Sequence, residues 1–140
     1  DEEIMKEMKY SFERKIDILE HGMCFGLFYW IVSYGTYPCA YIMIPINSKY
    51  FEKDYEEIDV DVHGGLTYSN NYLPFEAKND ETKAWYIGWD YAHCGDYVGY
   101  EERVPKEFRV SGKKWTTEEI KNEVREACYQ IVGEKDEQKK

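Results

Sequence analysis

The stretch MCFGLFYWIVSY, from Met23 to Tyr34, decides the fold class of this chain. Its β-branched and aromatic residues favour extended backbone over helix. The run CAYIMIP follows after a turn marked by Gly35 and Pro38, and Pro45 closes it. The pattern therefore predicts a β-hairpin with strands near 23–34 and 39–44.

The segment WTTEEIKNEVREACYQIVG, which starts at Trp115, has the marks of a helix. Thr116 and Glu119 have the spacing of a capping box, and Trp115 and Ile120 that of a hydrophobic staple. Apolar residues recur at helical spacing through the segment, and Gly133 stands where a C-terminal cap belongs. We therefore predict an α+β fold, in which an antiparallel β-sheet packs against a C-terminal α-helix.

Length and composition indicate one domain over residues 1–140, with mobile ends at 1–8 and 134–140. The four cysteines form no CxxC pair, so we expect reduced thiols rather than a disulfide framework or a zinc knuckle. No apolar run reaches membrane-spanning length, and the acidic opening DEEIMKEM is unlike a signal peptide. These features predict a cytoplasmic protein that does not enter a membrane.

The net charge of −10, from 28 acidic and 18 basic residues, opposes general binding of DNA or RNA by this chain alone. Acidic residues concentrate between positions 52 and 61, where Lys53 is the single basic residue. With the 14 tyrosines of the chain, this segment predicts a binding surface for a basic partner. The acidic residues we expect to contact that partner are Glu56, Glu57, Asp59 and Asp61.

The stretch WYIGWDYAHCGDY, residues 85–97, places polar residues at the end of a predicted strand. Strand alternation directs Trp89 to one face and Asp90 to the other. Gly95 permits a turn, in which His93 and Asp96 reach the same region. The exit loop of a strand is a favoured place for site residues.

The stretch DVDVHGGLTYS, residues 59–69, is predicted as a short strand broken by Gly64 and Gly65, which permit close approach of a ligand or backbone. His63 shares a strand face with Asp59 and Asp61. If the two stretches pair, four side chains converge as candidate catalytic and metal-binding residues: His63, Asp90, His93 and Asp96.

Several kinds of chemistry suit that set. Two imidazoles with carboxylates suit a divalent Mn, Fe or Zn ion that polarises a phosphoryl oxygen. A site without metal would use His63 or His93 as a general base. A structural alternative has Asp90 and Asp96 capping turns. A cysteine nucleophile at Cys94 is the weakest of these readings.

A further alternative is a pocket for a nucleotide signal. Aromatic side chains stack on bases, and tyrosine and tryptophan lie beside the polar cluster. The candidate stacking residues are Tyr68, Trp89 and Tyr91, and Gly64 and Gly65 would let the ligand approach.

The two motifs HGGLTYS and GWDYAHCGD together resemble a family of small phage, prophage and bacterial proteins that carry HGGLTYS-like and GFDxAHxGD-like segments. The resemblance covers roughly residues 41–132 and includes the C-terminal helix. It places the polar positions of the family at these residues of this chain: His63, Gly64, Gly65, Thr67, Tyr68, Ser69, Gly88, Asp90, His93, Gly95 and Asp96.

What the resemblance implies is a retained polar site in a phage-type accessory protein that acts in the cytoplasm of the host cell. Such proteins often counteract host defence, which is an association and not a chemical argument. The expected function is inhibition of a bacterial defence system, for example as an anti-CRISPR protein, through the acidic, tyrosine-rich surface. The expected partner is a basic, nucleic-acid-binding defence protein. The alternatives are a metal-dependent hydrolase or nuclease-like enzyme, and a nucleotide-binding protein.

Overall fold

The chain folds as a five-stranded antiparallel sheet with a C-terminal helix packed on it, which confirms the predicted α+β class. The computed structural model describes residues 16–76, 83–93, 95–97 and 112–138. The elements are β1 (Asp17–Cys24), β2 (Leu27–Ser33), β3 (Pro38–Met43), a 3₁₀ turn (Tyr55–Glu57), β4 (Tyr68–Asn70), β5 (Tyr86–Asp90) and α1 (Thr117–Gln138). The strands lie in the order β1-β2-β3-β5-β4.

The apolar run 23–34, predicted as one strand, contains a turn. Phe25 and Gly26 both have positive φ angles, 51° and 81°, and they join β1 to β2 as a two-residue hairpin loop. Phe25 is 54 % exposed, so its apolar character does not report burial. Because Phe25 is apolar, the sequence pattern does not show the boundary between β1 and β2, and Met23 and Cys24 belong to β1.

Strand β3 occupies the middle of the sheet, so it is buried on both faces. Side chains of one strand parity, such as Ile42 and Trp89, face α1 and form the larger core. Side chains of the other parity, such as Tyr41 and Tyr86, form a smaller cluster on the opposite face. The alternation predicted for Trp89 and Asp90 is therefore correct for β5.

The helix begins as predicted. The Glu119 backbone N–H donates to Thr116 Oγ1 (3.2 Å), and the Thr116 backbone N–H donates to Glu119 Oε1 (3.1 Å), which completes the capping box. The predicted end at Gly133 is wrong, because the helix continues to Gln138. The residues after Gly133 include Glu, Lys and Gln, which are good helix formers and extend it.

The segment before the glycine pair alternates like a strand but pairs with none. Val60 and Val62 are buried, whereas Asp59 and Asp61 are exposed. Its backbone is satisfied from α1: the Asp61 N–H donates to Gln130 Oε1 (2.7 Å), and Gln130 Nε2 donates to the Asp61 carbonyl (2.9 Å). The predicted strand is therefore absent before the glycines, and β4 starts after them.

Cys24, Cys39 and Cys128 are free thiols, as predicted, and Cys94 lies outside the described residues. Within the described residues, no helix is both long enough and apolar enough to cross a membrane.

Candidate functional site

Asp96 is the centre of the polar cluster. Its carboxylate is buried and forms polar contacts with three other residues. Trp115 Nε1 donates to Oδ1 (2.8 Å), and the His93 backbone N–H donates to Oδ2 (3.0 Å). His63 Nε2 lies 2.7 Å from the same Oδ2. A turn aims the side chain inward, with Gly95 at a φ of 91° and the Asp96 N–H bonded to the His93 carbonyl.

These contacts stabilise the ionised form of the Asp96 carboxylate. Burial alone would raise its pKa, but hydrogen bonds from the His93 backbone, His63 and Trp115 outweigh that effect and lower the pKa below its ordinary value. The carboxylate is therefore ionised at neutral pH. It gives the site a fixed negative charge with little access to solvent.

His93 has one ring nitrogen without a hydrogen bond. Its Nδ1 is buried and lies 3.5 Å from Asp90 Oδ1 and 3.8 Å from Asp96 Oδ2. These are ion-pair distances for a protonated ring, but no aligned hydrogen bond closes among the described residues. Gly64 explains how the ring fits: a Cβ built on Gly64, whose φ is 70°, would lie 2.3 Å from the His93 ring. The close approach expected at the glycine pair is thus made by His93.

The ring of His63 is held by aromatic neighbours. It stacks on Tyr91 at a centroid distance of 5.1 Å and an angle of 6°, and it also contacts Trp115 and the edge of His93. These contacts leave the imidazole little freedom, so its orientation toward Asp96 is fixed by packing as well as by the 2.7 Å contact.

Glu123 of α1 ties the cluster to the helix. Its Oε1 accepts from the Tyr91 hydroxyl (2.7 Å) and from the His63 backbone N–H (3.0 Å). The Tyr91 hydroxyl in turn accepts from Trp89 Nε1 (3.0 Å). Burial, together with the Glu123 carboxylate, raises the pKa of Tyr91, so the hydroxyl stays protonated and donates.

Three of the four predicted ligands converge. Within the described residues, one ligand atom each from His63, His93 and Asp96 lies within 4.8 Å of the other two. Asp90 contacts His93 but is outside that set. Its Oδ1 accepts from the Ala92 N–H (3.2 Å) and its Oδ2 from Thr67 Oγ1 (3.3 Å), so Asp90 does cap its turn.

The predicted stacking residues do not form a platform for a base. Trp89 and Tyr91 are 1 % and 0 % exposed, because both belong to the core under α1. Tyr68 is half-buried, packs edge-on against Tyr41 and donates its hydroxyl to the Tyr72 carbonyl. Their burial gives a ligand little access to either ring, and their stacking on a ligand stays a prediction.

The acidic segment is exposed, as a binding surface requires. All six of its acidic side chains reach solvent: Glu52, Asp54, Glu56, Glu57, Asp59 and Asp61. Of the described tyrosines, four are buried, seven are half-buried and Tyr129 is exposed, so the tyrosine-rich part of that surface stays a prediction. Gly65 borders open space, with nothing within 4 Å of an added Cβ.

Sequence reasoning missed Glu123 and the contact between Trp115 and Asp96. Glu123 lies three residues after Ile120 and four before Ala127, so it falls within the apolar stripe of the helix. A carboxylate at such a position needs a buried partner, which is a usable signal. Trp115 was assigned only to the hydrophobic staple, and nothing local indicates that its N–H meets Asp96.

Comparison of the chain with protein-family models, with curated proteins and with solved structures gives no match. The resemblance to the phage and bacterial family therefore stays a prediction carried by its two motifs. Any function has to be argued from the geometry of this chain.

Proposed function

We propose that this chain binds a divalent transition metal through His63, His93 and Asp96 and uses it to hydrolyse a small phosphoester. The observation that carries the proposal is the buried Nδ1 of His93, which has no hydrogen-bond partner among the described residues and faces two carboxylates. In the tautomer that carries its proton on Nε2, this nitrogen presents a lone pair toward carboxylate oxygens, which is unfavourable. A cation between them removes the repulsion and satisfies all three groups.

The spacing of the donor atoms suits such an ion. Ligands about 2.1 Å from a metal lie roughly 3 to 3.5 Å from each other. The contact between His63 Nε2 and Asp96 Oδ2 is 2.7 Å, and that between His93 Nδ1 and the same oxygen is 3.8 Å. All three ligand atoms lie within 4.8 Å of one another, so binding of one ion would draw them closer together.

The donor set also supports the proposed reaction class. Two imidazoles and one carboxylate leave coordination positions open, where a bound metal supplies an activated water or polarises a phosphoryl oxygen. Trp115 orients Asp96, and Tyr91 orients His63, as outer contacts of metal ligands commonly do. The net charge of −10 disfavours a polyanion, so the proposed substrate is a small phosphoester.

Metal content per chain is the test, measured by elemental mass spectrometry after incubation with Mn²⁺, Fe²⁺ or Zn²⁺ and gel filtration. We expect one ion per wild-type chain and loss of it in His93→Ala. His21→Ala is the matched control, because His21 lies on β1 and bonds the Tyr29 carbonyl away from the cluster. Hydrolysis of bis(p-nitrophenyl) phosphate should fall about 100-fold in His93→Ala and stay unchanged in the control.

A wild-type chain that retains none of these ions, while its circular dichroism shows the native fold, would overturn the proposal. His93 would then have a structural role beside Asp90 and Asp96. Binding of metal without hydrolysis would remove the reaction and leave the site.

The exposed acidic segment favours a second candidate, inhibition of a basic, nucleic-acid-binding bacterial defence protein of the kind that anti-CRISPR proteins block. Six carboxylates and one lysine between positions 52 and 61 would speed encounter with a positive surface. This function does not require the metal site, and the two are compatible.

Charge reversal tests this candidate. The probe is DNA cleavage by a Cas9–guide RNA complex, whose channel is positively charged. Glu56→Lys combined with Glu57→Lys should weaken inhibition about tenfold or more, with the largest effect at low salt. Glu118→Lys combined with Glu126→Lys changes the net charge equally at exposed positions of α1 and should have little effect. Equal losses in the two double variants would reject the specific role of the segment.

A further inference from the structure

The face of the sheet opposite α1 contains a pocket of about 250 Å³. It opens between the β2–β3 turn and the β4–β5 pair. The side chains that the argument uses are Tyr34, Tyr37, Tyr41, Thr67, Tyr68 and Asp90.

Glycine at position 88 makes room for the pocket wall. A Cβ built on Gly88 would lie 2.4 Å from the Tyr41 ring, so the ring occupies the space that a side chain at position 88 would fill. Tyr68 then packs edge-on against Tyr41, at a centroid distance of 5.5 Å and an angle of 86°. The Tyr34 and Tyr41 hydroxyls lie 2.8 Å apart and close one side.

The pocket combines aromatic walls with one negative charge. Asp90 is the one carboxylate among its lining side chains. The phenols remain neutral there, because burial raises the pKa of Tyr34 to about 12 and raises that of Tyr41 as well. Burial is the main reason that the pKa of Tyr37 is raised, with smaller contributions from Cys39 and Asp90.

We propose that this pocket binds a guanidinium group. Aromatic faces attract cations, and a carboxylate with neighbouring hydroxyl oxygens accepts hydrogen bonds from a cation that carries N–H donors. A quaternary ammonium has no such donors, so it would leave the oxygens unpaired. Asp90 retains accepting capacity, since its contacts with Thr67 and Ala92 are long, at 3.3 and 3.2 Å.

The size of the pocket limits the ligand. Sites for whole drug-sized molecules usually span about 300 to 1,000 Å³, and this one lies just below that range. It would therefore hold a small guanidine or one arginine side chain. This inference goes beyond the proposed function, because none of the pocket residues is one of the three proposed metal ligands, but Asp90 lies at both sites, 3.5 Å from His93 Nδ1.

Titration with methylguanidinium, followed by ¹H–¹⁵N NMR at the Thr67 and Gly88 amides, tests the inference. Urea is the neutral ligand of similar shape, and tetramethylammonium is the cation without donors. We expect saturable shifts with methylguanidinium, none with urea, and binding at least about tenfold weaker with tetramethylammonium. Equal responses to methylguanidinium and urea, or tighter binding of tetramethylammonium, would overturn the proposal.

Two variants locate the binding. Asp90→Asn should weaken methylguanidinium binding about tenfold, whereas Asp54→Asn removes an exposed carboxylate elsewhere and should have no effect. Tyr37→Leu removes an aromatic wall without touching Asp90 and should weaken binding several-fold. Unchanged affinity in both Asp90→Asn and Tyr37→Leu would reject the site.

The source of the guanidinium is distinguished by a competition between free arginine and a short arginine-containing peptide of neutral flanking sequence. Tighter binding of the peptide supports an arginine side chain of a protein partner as the occupant. Tighter binding of free arginine supports a small molecule. Failure of both to displace methylguanidinium would overturn the assignment of the pocket.

Discussion

The two faces of the sheet carry their polar groups in different ways. Between the sheet and α1, a connected series of hydrogen bonds joins Trp89, Tyr91, Glu123 and the His63 backbone. On the opposite face, tyrosines provide both the apolar bodies and the polar tips, and a pocket stays open among them. The comparison teaches that a covering helix makes polar groups interdependent, whereas an uncovered tyrosine surface leaves them available to a ligand.

The largest expected difference is between the two aspartates of the exit loop. Asp96→Asn should lower the free energy of unfolding by about 3 kcal/mol, because it removes a buried charge that pairs with His63 and Trp115. Asp90→Asn should cost less than about 1 kcal/mol, since Asp90 is half-buried and its bonds are long. Urea denaturation measures both. Equal costs would show that the two faces do not differ in this respect.

The glycine pair gives a matched test of packing on the helix side. Gly64→Ala and Gly65→Ala both place alanine at a positive φ, 70° and 82°, so their backbone costs are similar, about 1 kcal/mol. Only Gly64→Ala also drives a Cβ into the His93 ring. We expect Gly64→Ala to cost about 2 kcal/mol more than Gly65→Ala in thermal unfolding, and to displace the His93 ring signals in NMR. Indistinguishable stabilities would show that the ring moves aside freely.

Removing a single tyrosine hydroxyl on each face of the sheet compares the stability that the two hydroxyls contribute. Tyr91→Phe leaves Trp89 Nε1 and Glu123 without their shared partner inside the core, and should cost about 2 kcal/mol. Tyr34→Phe removes one bond to Tyr41 beside the open pocket and should cost about 1 kcal/mol or less. Chemical denaturation measures both. The reverse order would contradict the view that the helix makes its polar groups interdependent.

The dependence of stability on pH tests separately whether the Tyr34 hydroxyl is buried. Burial raises its pKa from 10.0 in the unfolded chain to about 12 in the folded one. The stability that this group contributes is therefore fully present below pH 10 and is lost as the pH rises toward 12. Tyr34→Phe should lose less stability than the wild type between about pH 8 and about pH 11. An identical loss would show that Tyr34 titrates as it does in the unfolded chain.

Much of the fold was predictable because its signals are local. The capping box at Thr116 and Glu119 needs only four residues, and the alternation that separates Trp89 from Asp90 needs only extended backbone. The turn at Phe25 and Gly26 escaped prediction, since an aromatic residue at positive φ is rare. The predicted helix end at Gly133 was wrong because glycine permits a helix to end but does not require it to.

Part of the candidate site also follows from spacing. His93 and Asp96 share a short turn, so their proximity is local. His63 joins them from 30 residues away, and that approach depends on Gly64, whose missing side chain admits the His93 ring. The position of Glu123 in the apolar stripe of the helix indicates that its carboxylate needs a buried partner. The sequence does not indicate that the partners are the Tyr91 hydroxyl and the His63 backbone N–H.

Local sequence thus carries the strand and helix assignments, the exposed acidic segment and the candidate residues, because backbone preference and charge act over a few positions. Packing of α1 on the sheet sets what those residues do. Tyr91 is buried beneath the helix, Trp115 donates to Asp96, and His93 Nδ1 has no hydrogen-bond partner among the described residues, while the tyrosine pocket forms on the other face. These arrangements join distant segments, and their geometry arises only when side chains compete for the same interior space.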